Sequence, residues 1–145
     1  MRKNLSSLAV AAIFSLMLFG GSASSALAGV TVKISKGSQT MNVYVHGQLM
    51  HTWAVSTGRR GYNTPSGHYR PVRMERMWHS RKYHWSPMPY SIFFRGGYAI
   101  HGTTETRNLG RRASHGCVRL HPSAARQLYS LVQQYGPGRT RIQIR

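Results

Sequence analysis

Residues 99–120 read AIHGTTETRNLGRRASHGCVRL, and how this stretch divides decides the fold. Ala99 and Ile100 continue an apolar run, "GYAI", that stops at His101-Gly102 as a strand does at its end. A polar, basic connection then leads to Ser114-His115-Gly116-Cys117. Past it, Pro122 stands where a first helical turn accepts proline. Ala124, Leu128, Leu131, Val132 and Tyr135 follow at helical spacing until Gly136 and Pro137 stop the pattern. One amphipathic helix is therefore expected after Cys117.

Outward from there the pattern changes to strands. Val30, Val32 and Ile34 alternate with polar residues in "VTVKIS", and "TRIQIR" alternates again at the C-terminal end. "QTMNVYVHGQLMHTWAVSTG" reads as two strands joined by a turn at His46-Gly47, and "RRGYNTPSGHYRPV" as a loop leading into another strand. "SIFF" reads as a further strand. Residues 75–90, "ERMWHSRKYHWSPMPY", show no clear period and are expected to form an irregular excursion; within and beside it, "MERMWHSRKYHWSP" (74–87) reads as a surface loop with its tryptophans packed on the sheet or as a lid or wall of a pocket. The sum is a mainly β domain, a sandwich or compact barrel-like body with one packed helix.

The N-terminal residues have another purpose. A basic start, an apolar stretch from Leu8 to Phe19 and small residues ending at Ala26-Leu27-Ala28 form the three-part pattern of a secretory signal, with cleavage expected after Ala28. Residues 1–28 are thus expected to be a leader and 29–145 one folded domain. The apolar stretch is short for a membrane span, and nothing later in the chain reads as one. Export points to the periplasm or cell wall.

Composition narrows the chemistry. The chain has 20 Lys and Arg against two acids, Glu75 and Glu105, and its formal charge of +18 becomes +16 when Arg2 and Lys3 leave with the signal. Such a surface suits polyanions. For an exported chain those are anionic wall polymers or lipid headgroups rather than nucleic acid, and a soluble surface that has drifted basic explains the charge equally well. With no aspartate, a Ser-His-Asp triad is impossible, and paired-carboxylate glycoside hydrolysis would need both glutamates. Calcium and magnesium sites, which need several oxygen ligands, have little to draw on.

Cys117 is the only cysteine. It admits three readings. A small buried hydrophobe is one, although an oxidising compartment makes an idle thiol a hazard. A zinc ligand with His101, His115 and His121 is another, but no second cysteine or paired spacing supports it. The third is a nucleophile, which needs a base and a setting that stabilises thiolate. His101 is the best-placed base, oriented by a backbone carbonyl or by Glu105. N–H groups around Gly116 and Cys117, with His115 or Ser114, could hold an oxyanion. Arg111, Arg112 and Arg119 would favour the thiolate.

The ordered set "VSTGRRGYNTPSGHYR", "MPYSIFFRGGYAIHG" and "AIHGTTETRNLGRRASHGCVRL" resembles the L,D-transpeptidase (YkuD-type) catalytic domain family from Val30 to the C-terminus. The resemblance implies a β-sandwich of mixed sheets with a few short helices. It implies Cys117 as nucleophile, His101 as proton acceptor and donor, and the Gly102 carbonyl as orienter of the imidazole. Ser114, His115 and the Gly116–Cys117 backbone would surround the oxyanion, Arg119 would support the pocket or bind a carboxylate, and Tyr90 would line the pocket. The implied reaction transfers the acyl part of a peptidoglycan stem tetrapeptide through a Cys117 thioester to a second stem or a protein amine. Neither metal nor organic cofactor is required, and carbapenems are expected to acylate the thiol. The alternatives are an L,D-carboxypeptidase on the same fold, or a non-catalytic basic wall-binding β-domain.

Overall fold

The computed structural model describes residues 29–145. The leader assigned to residues 1–28 lies outside the described residues.

The alternating segments become strands. β1 (Val30–Ser35) buries Val30, Val32 and Ile34 and pairs antiparallel with β2 (Thr40–Val45). β2 turns through His46 and Gly47, both at positive φ (47° and 81°), into β3 (Gln48–Ala54). Two left-handed residues match the twist of a tight hairpin. The short β4 (Gly67–Tyr69) lies within the stretch read as a loop leading to a strand, and pairs with β9 (Thr140–Ile144). β9 also runs parallel to β1, so the first sheet, in the order β3-β2-β1-β9-β4, is mixed.

The second sheet has the order β5-β6-β7-β8: β5 (Arg73–Ser80), β6 (Ser86–Arg95), β7 (Tyr98–Gly102) and β8 (Val118–Leu120). Its first pairs are antiparallel and β7–β8 is parallel, so this sheet is mixed too. The 75–90 segment corrects the sequence expectation: it is most of the β5–β6 hairpin, not an irregular excursion. The reason lies at its outer end, where both strands carry exposed residues and neither shows the alternation that marks a half-buried strand. Its turn also lacks the usual glycine, since His84 and Trp85 themselves adopt positive φ (50° and 59°). Trp78 packs edge-on against Phe93, whereas Trp85 stays exposed.

One core joins the layers. Val32, Ile34, Val43, Ile142 and Ile144 of the first sheet meet Ile92, Ile100, Val118 and Leu120 of the second, together with the apolar stripe of α1 (Pro122–Tyr135). Fully burying such a side chain contributes about 1.5–3 kcal/mol. α1 starts behind His121, whose side chain accepts from the Ser123 N–H, and ends at Gly136, whose N–H bonds the Val132 carbonyl. Ala124, Leu128 and Val132 point inward, as their spacing requires. No helix among the described residues is long and apolar enough to cross a membrane.

Candidate active site

The parallel pairing of β7 and β8 brings the two ends of residues 99–120 together. Ile100 lies opposite Val118, His101 opposite Arg119, and Gly102 opposite Leu120. Side chains alternate across a strand, so Ile100, Val118 and Leu120 enter the core while Ala99, His101, Cys117 and Arg119 take the other face. Cys117 packs there beside Met88, Phe93, Ala99 and Trp78, half-buried, with Sγ 3.7 Å from the Gly97 carbonyl. Cys117 immediately precedes β8, so the alternation carried one residue back sets its side chain on the face that His101 takes.

His101 is 6% exposed, and its Nδ1–H donates to the Gly102 carbonyl at 2.7 Å. A carbonyl only accepts, so Nε2 carries the lone pair and is the atom able to take a proton. The backbone alternative is thus the orienter, and Glu105 is engaged elsewhere, accepting from Arg119 at 2.9 Å. Burial lowers the His101 pKa to about 4; the Gly102 bond opposes this and the Arg119 charge adds to it. Burial raises the Cys117 pKa, against the opposing Ala99 backbone bond and the Arg119 charge. The arginines therefore do not by themselves make a resting thiolate. Desolvation outweighs the one nearby cation, and the pair rests as neutral imidazole and thiol.

The Ser114–Cys117 turn is built from inside. Ser114 is fully buried; its Oγ accepts from the Gly116 N–H at 3.0 Å and donates to the Cys117 carbonyl at 2.6 Å. Its backbone bridges Gly58 and donates to the Thr57 carbonyl. Thr64 Oγ1 adds a bond to the Gly116 carbonyl at 2.8 Å. This alters two expectations: Ser114 holds the loop rather than facing a bound group, and the Gly116 N–H is already taken. Among the described residues no side chain claims the N–H groups of His115 or Cys117. Gly116 has φ 117°, and a Cβ there would lie 2.7 Å from Tyr98 Cε1. Gly116→Ala is accordingly expected to destabilise the domain by about 1–3 kcal/mol, read as a lower urea midpoint, and to slow alkylation of Cys117.

The other predicted residues are dispersed. Arg119 is tied to Glu105, to which Asn108 also donates at 3.3 Å. Tyr90 does not face the thiol. It packs on Tyr129 of α1 at 5.8 Å and lines a cavity of about 600 Å³ with His51, Pro122, Arg126 and others, but with neither Cys117 nor His101. A positive φ of 56° at Tyr90 helps turn it to the helix side. The imagined zinc set does not assemble: His121 is the helix cap, and no group of three or more His, Cys, Asp or Glu among the described residues could hold a metal.

His115 sits in a cluster that sequence reasoning missed. Arg59 Nη2 lies 3.1 Å from Nε2, Tyr83 stacks on the ring at 4.2 Å, and Tyr62 meets it edge-on at 4.7 Å. Arg59 and Tyr62 come from the "STGRRGYNTPSG" loop and Tyr83 from the β5–β6 turn. No spacing rule joins those segments.

Residues 29–144 match the family described as YkuD, the L,D-transpeptidase catalytic domain. A curated relative, the YkuD protein of Bacillus subtilis (strain 168), is 25% identical over 118 residues, covering 78% of this chain and 64% of its own length. An L,D-transpeptidase from Stackebrandtia nassauensis has the same fold at a TM-score of 0.71 and 31% identity, over 81% of this chain and 55% of that one. L,D-transpeptidase 3 from Mycobacterium tuberculosis, in complex with a faropenem-derived adduct, aligns at a TM-score of 0.68 and 21% identity, over 81% of this chain and 60% of that one. The chain thus spans a little under two thirds of these relatives' length. Since the match runs from β1 to β9 and takes in both His101 and Cys117, the chain belongs to the L,D-transpeptidase (YkuD) catalytic-domain family.

Proposed function

We propose that this chain is an exported L,D-transpeptidase that carries the acyl part of a peptidoglycan stem tetrapeptide on Cys117. The observation that carries the reading is the His101–Cys117 arrangement, a buried imidazole with Nδ1 tied to Gly102 on the same sheet face as a lone thiol. His101 Nε2 takes the thiol proton as sulfur attacks the carbonyl carbon of the amide between the L-centre and the terminal D-residue. The N–H groups of His115 and Cys117 receive the oxyanion. The imidazolium then returns its proton to the departing amide nitrogen, the C–N bond breaks, and a thioester and a free D-amino acid remain. An acceptor amine attacks the thioester, gives its proton to His101, and leaves with a new amide while the thiol is restored. With a second stem as acceptor the product is a 3→3 cross-link; with a protein amine it is wall attachment. The +16 charge left after Arg2 and Lys3 are removed from +18 suits a surface that works among anionic wall polymers.

Mixing the protein with a purified tetrapeptide muropeptide tests the reading. Intact-protein mass spectrometry is expected to show the tripeptide acyl mass on Cys117, with equimolar release of the terminal D-amino acid and a cross-linked dimer in the products. Release without any dimer or amine adduct assigns hydrolysis instead, and neither adduct nor release sinks the proposal.

A further inference from the structure

The neighbours of His115 leave its imidazole one free polar atom. A guanidinium has only donors, so the Arg59 contact at 3.1 Å makes Nε2 the acceptor and places the ring hydrogen on Nδ1. Tyr83 covers one ring face at 4.2 Å and Tyr62 abuts the ring at 4.7 Å, so rotation would break all of these contacts. Among the described residues nothing accepts from Nδ1–H. The loop that brings Arg59 and Tyr62 is clamped: a Cβ on Gly58 would come within 1.7 Å of the Tyr62 carbonyl oxygen.

The surroundings are cationic. Arg59 lies over Tyr62 at 5.0 Å and Lys82 over Tyr83 at 5.5 Å. Glu105 is the one carboxylate with an influence on His115, and it is bonded to Arg119 at 2.9 Å. Desolvation, then Arg59, Arg119 and Lys82, lower the His115 pKa against a smaller opposing effect of Glu105, which keeps the ring a neutral donor near pH 7. A fixed N–H donor flanked by cations, on the turn that ends in the nucleophile, is chemistry for a carboxylate.

We infer that His115, Arg59 and Lys82 form a subsite for the free C-terminal carboxylate of the donor peptide. The inference rests on the proposed function for the identity of that donor, and it adds a selection rule. The bond attacked is one residue from the carboxylate, so only a peptide ending there offers both to Cys117 and His115 together. A capped end lacks the anion and binds more weakly.

Binding to the Cys117→Ala protein tests this without turnover. The probes are a synthetic stem tetrapeptide as its free acid and the same peptide as its C-terminal amide, titrated by calorimetry. The acid is expected to bind about tenfold more tightly or better, since a charge-assisted contact is lost in the amide. Cys117→Ala with Arg59→Gln is expected to bind the two within about twofold of each other, while Arg59→Lys, which keeps the charge, retains a preference. Equal affinity of Cys117→Ala for acid and amide, no measurable binding of either, or a preference that survives Arg59→Gln overturns the subsite. Carbapenem acylation of the wild type is read in parallel. Intact acylation without an acid preference removes the subsite alone, and absent acylation removes the transpeptidase reading itself.

Discussion

Cys117→Ala is expected to abolish covalent capture of a carbapenem and to lower transpeptidation by more than about a thousandfold, the scale on which losing a nucleophile acts. No other side chain can replace it: this is the only thiol in the chain, and the nearby hydroxyl of Ser114 is buried and bonded at both 2.6 and 3.0 Å. The fold should survive. Cys117 is half-buried against Met88, Phe93, Ala99 and Trp78, and losing one sulfur there costs roughly 1 kcal/mol. The measurement is intact-protein mass spectrometry beside a thermal melt. One drug mass is expected on the wild type and none on the variant, with the two melts close together. An adduct on Cys117→Ala would place the reacting atom elsewhere and remove the mechanism.

His101→Gln is expected to cost roughly a hundred- to ten-thousandfold in kcat/KM while Cys117 stays chemically present. Because burial raises the thiol pKa, little thiolate exists near pH 7 without a base to take the proton, so the loss should be large. The same histidine governs the acid limb. With a pKa of about 4 it remains a neutral base down to mildly acidic pH, so activity should fall through pH 4 rather than through 6.5. Stability follows the same titration. Below 6.5 the unfolded chain takes up a proton that the folded chain refuses until about pH 4. Stability is therefore lost as pH falls through that window, by about 3 kcal/mol from this group, and is unaffected by it above the window. Urea unfolding at pH 4.5 and 7 should show a smaller acid loss in His101→Gln than in wild type. Equal losses would mean that His101 is not held neutral by burial.

The legible parts of the fold share a simple physical signature. β1, β9 and the β2–β3 hairpin alternate because each has one face in the core, and α1 repeats at helical spacing for the same reason. The distal β5–β6 hairpin buries Met88 and packs Trp78 on Phe93 but otherwise mixes exposed and half-buried residues without strict alternation, so no period marks it. Tyr90 shows a second limit. A local motif places it near the site along the chain, but the backbone at φ 56° and the Tyr129 ring turn it toward α1.

The sequence by itself determined the pairing of chemistries. One cysteine, a histidine at a strand end and an absence of aspartate make a thiol and an imidazole the candidate pair, with a backbone carbonyl or Glu105 left to orient the base. Tertiary structure alone decided how that pair rests and what surrounds it. Desolvation depends on everything packed around a group, so the thiol and imidazole come out neutral although arginines flank them in sequence. Contacts across the fold likewise bring Arg59, Tyr62 and Tyr83 onto His115 from segments that no spacing links, because sheet pairing rather than chain distance sets which side chains meet.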